Sequence, residues 1–186
     1  MKVSPLTILT PDLGCWPKQL SDRLGADCPL QLAALGNPAL LAVRLAALFC
    51  SARCPGEAIL RAYDQAAHWR DIGRAVIGGF HSPMEKECLR ILLRGPQPVI
   101  VCPARGLPRR LAPELSGPLA AGRLLVLTPF SESERRVTRE LAQQRNHLVA
   151  ALAGEVWFAH IAPGGQMERL AKRVAGWTAP FPPTTG

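Results

Sequence analysis

The pattern that decides the fold class lies in residues 145–165, RNHLVAALAGEVWFAHIAPGG. Its apolar residues recur at helical spacing as far as Leu152, and Gly154 follows, a residue type that commonly ends helices. Residues 156–159 then form an unbroken apolar run of strand length. The stretch therefore predicts the end of a helix, a turn, a buried strand and a glycine turn.

The glycine turn, Pro163-Gly164-Gly165, is a candidate anion site. Its backbone N–H groups carry little side-chain cover, and the next helix is predicted to begin there. In an open α/β sheet, ligands bind at this edge, and helix N-termini favour anions. The alternative is that Gly164 and Gly165 only form a tight loop. The functional interpretation therefore depends on how the other strands end.

Four further apolar runs precede this strand at the spacing of an α/β protein. The predicted strands are residues 45–50, 75–79, 98–102, 123–129 and 155–160. Helices are predicted to end near residue 71, to span residues 83–94, and to run from about 133 to 153. Each strand is continuously apolar, as expected when helices cover both faces of a sheet. We expect a doubly wound, mainly parallel sheet.

Three segments follow from the proline and glycine distribution. Residues 1–40 form a proline-punctuated lead-in that is predicted to contain two short helical turns and to pack on the core. Residues 41–177 form the main domain, and residues 178–186 a flexible tail. The apolar residues of the two predicted turns are Leu20 and Leu24, then Leu30, Leu32 and Leu35.

The chain is basic, with a net charge of +8 over 186 residues, and arginine supplies most of that charge. Arginine forks suit phosphate and carboxylate groups, so the composition favours a polyanionic partner. The alternative is a basic protein that binds no anion. Aromatic residues make up only 5% of the chain, which argues against a platform that stacks several bases.

The six cysteines include no CxxC pair, which is unlike most zinc sites and small disulfide scaffolds. We interpret them as reduced thiols in a cytoplasmic protein. A metal cluster of Cys50, Cys54 and His81 is the weaker alternative, and no metal or cofactor is expected. The N-terminal apolar run is too short and proline-broken for a signal peptide, and no window reaches the length of a membrane span. We therefore expect no membrane contact.

Residues that follow parallel strands share one edge of the sheet, and here they are small, polar or basic. Glycine and serine turns that lead into helices, with arginines beside them, would form a phosphate cradle. None of these turns is a Walker loop or a GxGxxG fingerprint, which excludes typical ATPases and NAD enzymes. The candidate residues at this edge are Ser51, Arg53, Gly78, Gly79, His81, Ser82, Glu85, Arg105, Phe130, Gly164 and Gly165.

Several of these residues also have simpler explanations. One interpretation of His81 is a residue that orients a phosphate or exchanges a proton. The other is a solvated loop histidine. Glu85 is favourable in the first turn of a helix through the helix dipole alone. The sequence places no histidine–carboxylate pair near Ser51. We therefore predict no nucleophile and no catalytic residue. One group of arginines forms a solvated helix face or a charged stripe for nucleic acid: Arg135, Arg136 and Arg139.

The ordered series of segments resembles the DNA-processing protein A (DprA/Smf) family. LAALFCSAR at 45–53 stands where the family has "vaIVGSR", and GRAVIGGFHSPMEKECL at 73–89 where it has "G..vvSGlArGIDaaAH". RNHLVAALAGEVWFAH at 145–160 is similar to "RNRiIAgLs..vlVvEa". The lead-in at 16–37 and the segments at 98–107 and 122–130 match in the same order.

The resemblance implies a Rossmann-like core of the SLOG/LOG superfamily. By that resemblance, Ser51 and Arg53 lie in the first nucleotide-facing turn, and Glu85 matches a family aspartate. Arg145 and Asn146 match the family's Arg-Asn pair and join the candidate binding residues. The implied function is binding of single-stranded DNA or a nucleotide-like ligand without chemistry. Formation of a homodimer and delivery of DNA to a recombinase are also implied.

Other functions are alternatives to the binding of single-stranded DNA. The related LOG phosphoribohydrolases share a Pro-Gly-Gly turn, so the enzymatic alternative is hydrolysis of a nucleoside monophosphate. A protein that senses a nucleotide ligand belongs to the same alternative. Leu170 stands about where their catalytic glutamate would be, leaving Glu85 or Glu168 as local carboxylates. A purely structural or regulatory protein that binds no nucleotide is the third possibility.

Overall fold

The structure, a computed structural model, describes residues 6–51 and 53–177. The strands in this part of the chain are β1 (Leu6–Leu9), β2 (Leu32–Gly36), β3 (Ala46–Phe49), β4 (Val76–Gly78), β5 (Val99–Val101), β6 (Leu124–Thr128) and β7 (Glu155–Phe158). The α-helices are α1 (Gln19–Leu24), α2 (Gly56–Asp71), α3 (Pro83–Leu93), α4 (Pro113–Ala120), α5 (Arg139–Leu152) and α6 (Gln166–Val174). Short 3-10 helices span Gly25–Asp27 and Pro38–Ala42.

The strands form one sheet in the order β1-β2-β6-β5-β4-β3-β7. The five strands from β3 to β7 run parallel, whereas β2 is antiparallel to β6 and β1 antiparallel to β2. The predicted doubly wound, mainly parallel α/β fold is confirmed. Strands β4, β5 and β6 lie on one side of β3 and β7 on the other, so the strand order reverses between β3 and β7. Crevices at such a reversal are the usual ligand sites of open α/β sheets.

Helices cover both faces of the sheet, as the continuous apolar strands predict. Along β3, Ala47 and Phe49 pack in the cluster that includes α5 and α6, whereas Ala46 and Leu48 pack in the cluster that includes α2 and α3. Because successive side chains of a strand point to opposite faces, a strand buried on both faces must be apolar at every position. Strands β3, β4 and β5 satisfy this rule, whereas β6 ends with Thr128, and β7, at the edge of the sheet, is only partly buried and begins with Glu155.

The lead-in differs from the prediction. Its first helical turn is confirmed as α1, but the predicted second turn is wrong, because that segment forms β2. Pro29 and Pro38 bound the segment and leave too few residues for a stable helix. Leu32 and Ala34 are buried on one face, the alternation of a strand, and β2 hydrogen-bonds to the edge of β6. The boundary at residue 40 stays a prediction, and the predicted tail at 178–186 lies outside the described residues.

Gly36 is required at the end of β2. Its φ is 119°, a conformation that side-chain-bearing residues rarely adopt, and an added Cβ would overlap the carbonyl oxygen of Leu124. The close approach of this backbone to β6 therefore depends on the absence of a side chain.

Two helices also differ from expectation. Helix α5 begins at Arg139 and not near residue 133, because the Thr138 hydroxyl accepts a hydrogen bond from the Leu141 N–H at 3.2 Å and caps the helix there. Helix α4 was not predicted. Its first residue is Pro113, a position where proline favours a helix start.

Arg23 of α1 fastens the lead-in to the core. Its Nη1 donates to the carbonyl oxygens of Ala151 and Ala153 at 2.9 and 2.7 Å, and its Nη2 donates to that of Trp177 at 2.6 Å. The carbonyls at the end of a helix lack partners within the helix, so a guanidinium there satisfies them and suits the helix dipole. The C-terminal end of α5 is thus capped by a side chain from a distant part of the sequence.

All six cysteines are free thiols. Cys102 is fully buried, and burial raises the pKa of its thiol to about 12, which fits the interpretation of a small apolar residue. The described residues contain no group of three or more His, Cys, Asp or Glu side chains able to hold a metal ion, so the alternative cluster of Cys50, Cys54 and His81 does not form. Within residues 6–51 and 53–177, no helix is long and apolar enough to cross a membrane.

Candidate functional site

A cleft of about 540 Å³ lies at the carboxyl ends of β3, β4 and β7, beside the reversal of strand order. It is open to solvent and is bordered by the first residues of α3, α5 and α6. It brings together eight of the predicted site residues: Ser51, Arg53, His81, Ser82, Glu85, Arg145, Asn146 and Gly165. The residues that follow β3, β4 and β7 therefore share one edge of the sheet, and Arg145 and Asn146 join them from α5.

Ser51 joins the ends of β3 and β7 at the base of the cleft. Its N–H donates to the His160 carbonyl oxygen at 3.0 Å, and its hydroxyl accepts a hydrogen bond from the Ala162 N–H at 2.8 Å. The side chain is buried. Ser51 thus holds the two loops together, and its hydroxyl oxygen is already engaged.

Arg145 is the buried cation of the site, with only 5% of its surface exposed. Its Nη1 donates to the Cys102 carbonyl oxygen at 3.0 Å, and its Nε donates to Asn146 Oδ1 at 2.8 Å. The guanidinium lies directly over Gly79, where an added Cβ would overlap Nη1. Gly79 is therefore needed to leave room for the guanidinium.

Burial lowers the pKa of Arg145, and the negative charge of Glu85 raises it. A guanidinium nevertheless stays protonated at neutral pH. Within the described chain its Nη2 has no hydrogen-bond partner, while the side chain lines the cleft. A fixed positive charge with a free donor therefore faces the open space.

Ser82 and Glu85 cap helix α3. The Ser82 hydroxyl accepts from the Glu85 N–H at 3.2 Å, and Glu85 Oε2 accepts from the N–H groups of Ser82 and His81 at 2.9 and 3.1 Å. This reciprocal arrangement is a capping box. The simpler explanation of Glu85 as a helix-start residue is thus supported, and the imidazole of His81 is left exposed at the rim.

Phe80 takes an unusual backbone conformation between these groups. Its φ is 46°, in the left-handed region that an aromatic residue rarely occupies. Its ring folds back over Gly78, 3.0 Å from where a Cβ would lie. Gly78 therefore accommodates the Phe80 ring and does not face the cleft. No local sequence pattern predicts this strained position.

The glycine turn after β7 makes its hydrogen bonds within the chain. Gly164, with a φ of 69°, donates from its N–H to Glu168 Oε2 at 3.0 Å, and the Gly165 N–H donates to the Ala162 carbonyl oxygen at 3.1 Å. Gly165 borders the cleft and Gly164 does not. The turn thus has the geometry of the tight-loop alternative.

Arg105 and Phe130 lie away from this cleft. Arg105 lines a second cleft of about 540 Å³ at the ends of β5 and β6, together with Arg109 and Glu132. Phe130 is a buried side chain, 8% exposed, at the end of β6. The single cradle expected from the sequence is therefore divided into two clefts along one edge.

Arg139 is a cleft residue that the predicted site lacks. It is the first residue of α5, next to the Thr138 cap, whereas a helix start near residue 133 places it mid-helix. Recognition of the threonine as a cap would have moved Arg139 to the sheet edge. With Arg53 and Arg145 it gives the cleft three arginines, against one carboxylate, Glu85.

No protein-family model matches the sequence, and no curated protein matches it at a significant level. Solved structures share its architecture, and two of them resemble most of this chain. One, from Streptococcus pneumoniae, has a TM-score of 0.71 and 18% identity over 92% of this chain. The other, from Helicobacter pylori, has a TM-score of 0.72 and 19% identity over 99% of it. Both are DNA processing protein A.

The fold is that of DNA processing protein A. The structural resemblance expected from the ordered sequence segments is thereby confirmed. The chain spans 61% of the Streptococcus pneumoniae chain and 85% of the Helicobacter pylori chain. The structure of the Helicobacter pylori DNA processing protein A is described as showing a unique mode of single-stranded DNA binding.

Proposed function

We propose that this protein binds single-stranded DNA in the arginine-lined cleft at the ends of β3, β4 and β7, without chemistry on the strand. The fold shared with DNA processing protein A supports this proposal, as does the reported single-stranded DNA binding of the Helicobacter pylori protein. The net charge of +8 favours a polyanion.

The observation that carries the proposal is the placement of the three arginines. Arg145 is held rigidly at the bottom of the cleft, and the exposed Arg53 and Arg139 lie at its rim. Guanidinium groups bind phosphate oxygens through paired, charge-assisted hydrogen bonds. Because the cleft is open to solvent along the sheet edge, it suits a DNA strand that enters at one side and leaves at the other.

The carboxylates support binding without catalysis. Glu85 and Glu168, the local candidates of the phosphoribohydrolase alternative, both accept hydrogen bonds from backbone N–H groups of their own turns. Leu170, which stands about where that group's catalytic glutamate would be, is buried in the core at 2% exposure. A homodimer, delivery of the strand to a recombinase and a cytoplasmic location form part of the same proposal.

The test is fluorescence anisotropy with a labelled oligo-dT of about 20 nucleotides, longer than most single-strand binding sites. Arg53→Ala with Arg139→Ala should weaken binding about tenfold for each arginine, since a lost charge-assisted contact is worth about 1.4 kcal/mol. The slope of log affinity against log salt should fall by roughly 0.7 for each phosphate contact removed.

The matched control is Arg61→Ala with Arg94→Ala, because both side chains are exposed and lie outside the cleft. Arg94 is the C-cap of α3, at the end of that helix away from the cleft. This control removes the same charge and should leave most of the affinity intact. An equal loss in the two double variants, or no binding of the unmodified protein, would refute the proposed site. Release of ribose 5-phosphate from a nucleoside monophosphate would favour the enzymatic alternative.

A further inference from the structure

The start of α6 offers backbone donors that the preceding turn does not. Both glycines of the turn donate their N–H groups within the chain, whereas the helix itself begins at Gly165 without a side-chain cap. Its first two residues, Gln166 and Met167, line the cleft, and neither of their N–H groups has an acceptor among the described residues. The first N–H groups of a helix point out of its N-terminal end and carry a partial positive charge.

A buried guanidinium faces the same space and is a second, independent observation. Arg145 is 5% exposed and lines the cleft, and in the described part of the chain its Nη2 has no acceptor. Asn146 and Gln166 border one small cavity together, so the Arg145–Asn146 pair lies beside the start of α6. Buried donors normally have acceptors. An anion between Arg145 and α6 would supply an acceptor to both.

The carboxylates nearby leave this place open to an anion. Glu85 lines the cleft, but its Oε2 is held by the backbone at the start of α3. Glu168 does not line the cleft, and Lys172 Nζ lies 3.6 Å from its Oε1. A phosphate group has several oxygens that accept hydrogen bonds, so it can use helix N–H groups and a guanidinium at the same time.

We propose that the start of α6 and Arg145 together form a phosphate subsite, in which the N–H groups of Gln166 and Met167 and the Arg145 guanidinium bind one phosphate group. This inference rests on the proposed binding of single-stranded DNA. It assigns part of the affinity to neutral backbone donors, in addition to the arginine contacts. Phosphates within the strand and at its 5′ end share this chemistry, and the experiment distinguishes them.

The experiment removes one backbone donor and leaves the helix in place. Gln166→Pro deletes the N–H group at the first helical position, which proline favours. Gly165 has φ −81° and ψ 175°, an extended conformation that suits the residue before a proline. Gln166→Ala is the matched control, because it removes the same side chain and keeps the N–H group.

In fluorescence anisotropy with labelled oligo-dT, Gln166→Pro should bind about tenfold more weakly than Gln166→Ala, the loss expected for one hydrogen bond to a charged group. The slope of log affinity against log salt should be the same for both variants, because the deleted N–H group carries no ionic charge. Thermal melts check that both variants fold.

A second pair of variants tests the subsite without proline. Gln166→Glu places a carboxylate at the start of α6, which favours the helix but repels phosphate, so it should weaken strand binding. Gln19→Glu is its control, because Gln19 is the first residue of α1 and lies outside the cleft. This control adds the same charge and should leave the affinity close to that of the unmodified protein.

A 5′-phosphate on the oligo-dT identifies which phosphate is bound. A gain in affinity that disappears in Gln166→Pro assigns the subsite to the strand end, whereas the proline effect without such a gain assigns it to internal phosphates. Equal affinities of the proline and alanine variants, or equal losses in the two glutamate variants, would overturn the subsite while leaving strand binding in place. Absence of strand binding by the unmodified protein would instead overturn the proposed function.

Discussion

The contact between Gly79 and Arg145 allows a quantitative test of how the floor of the cleft is built. In the Gly79→Ala variant, the new methyl group would overlap Nη1 of the Arg145 guanidinium, which must then move. The move breaks its hydrogen bonds to the Cys102 carbonyl and to Asn146. The backbone of Gly79 is itself outside the left-handed range, so alanine causes no strain there.

The magnitude follows from the two broken hydrogen bonds. Each bond from a charged donor is worth about 1.5 to 3 kcal/mol. The displaced guanidinium regains water in the open cleft, so we take the lower value for each and expect Gly79→Ala to cost about 3 kcal/mol. In the Arg145→Ala background the space over Gly79 is empty, and the same substitution should cost close to nothing. The predicted coupling free energy is therefore about 3 kcal/mol, at the upper end for residues in contact.

Urea unfolding of the four proteins measures this cycle. Gly56→Ala is the matched control, because Gly56 is the exposed first residue of α2 and an added Cβ there meets no neighbouring atom within 4 Å. That substitution should change the free energy of unfolding by less than about 1 kcal/mol, in the stabilising direction, through helix propensity. If Gly79→Ala costs the same in both backgrounds to within about 0.5 kcal/mol, the two residues are independent and the argument is refuted.

Two further predictions concern the lead-in and α5. Arg23→Ala removes three hydrogen bonds to backbone carbonyls and should lower the free energy of unfolding by about 3 kcal/mol, measured by urea unfolding. The control is Arg94→Ala at a solvated helix end, which should change the free energy of unfolding by less than about 0.5 kcal/mol. Burial and the nearby Arg173 lower the pKa of His147 below its ordinary value of 6.5. The unfolded chain therefore takes up more protons, and stability should fall as the pH drops through 6.5 toward the folded-state value. His147→Gln should reduce that fall in thermal melts across this range, and an unchanged pH profile would contradict the assignment.

The parallel part of the sheet was predictable because its signal is local. A strand such as β3, buried on both faces, must be apolar throughout, and glycine and proline mark its ends. Strand β2 was not predictable in the same way. Leu32 and Leu35 fit helical spacing as well as a strand, and only pairing with β6, about ninety residues later, decides between them. Such pairing depends on tertiary structure that a single sequence window does not contain.

The candidate site was likewise predictable only in part. Ser51, Arg53 and Glu85 meet in one cleft because the strand-end rule is a property of topology, whereas Arg145 lies in α5 and was expected in the site from the family resemblance. The capping box of Ser82 and Glu85 has the S-x-x-E spacing and was predictable, although it was not predicted, whereas the acceptor of the Gly164 N–H depends on which way the Glu168 side chain turns. The left-handed backbone of Phe80 also has no sequence signature, since glycine or asparagine is the usual residue there.

The pairing of β2 with β6 has a consequence for shortened versions of the protein. If a version began at residue 41, the backbone groups of residues 125–128 that now bond to β2 would form an open edge. Exposed edges of this kind recruit strands from other molecules and promote aggregation. We therefore expect such a truncated protein to precipitate on expression. An affinity tag belongs ahead of β1, so that β2 is retained and stays paired with β6.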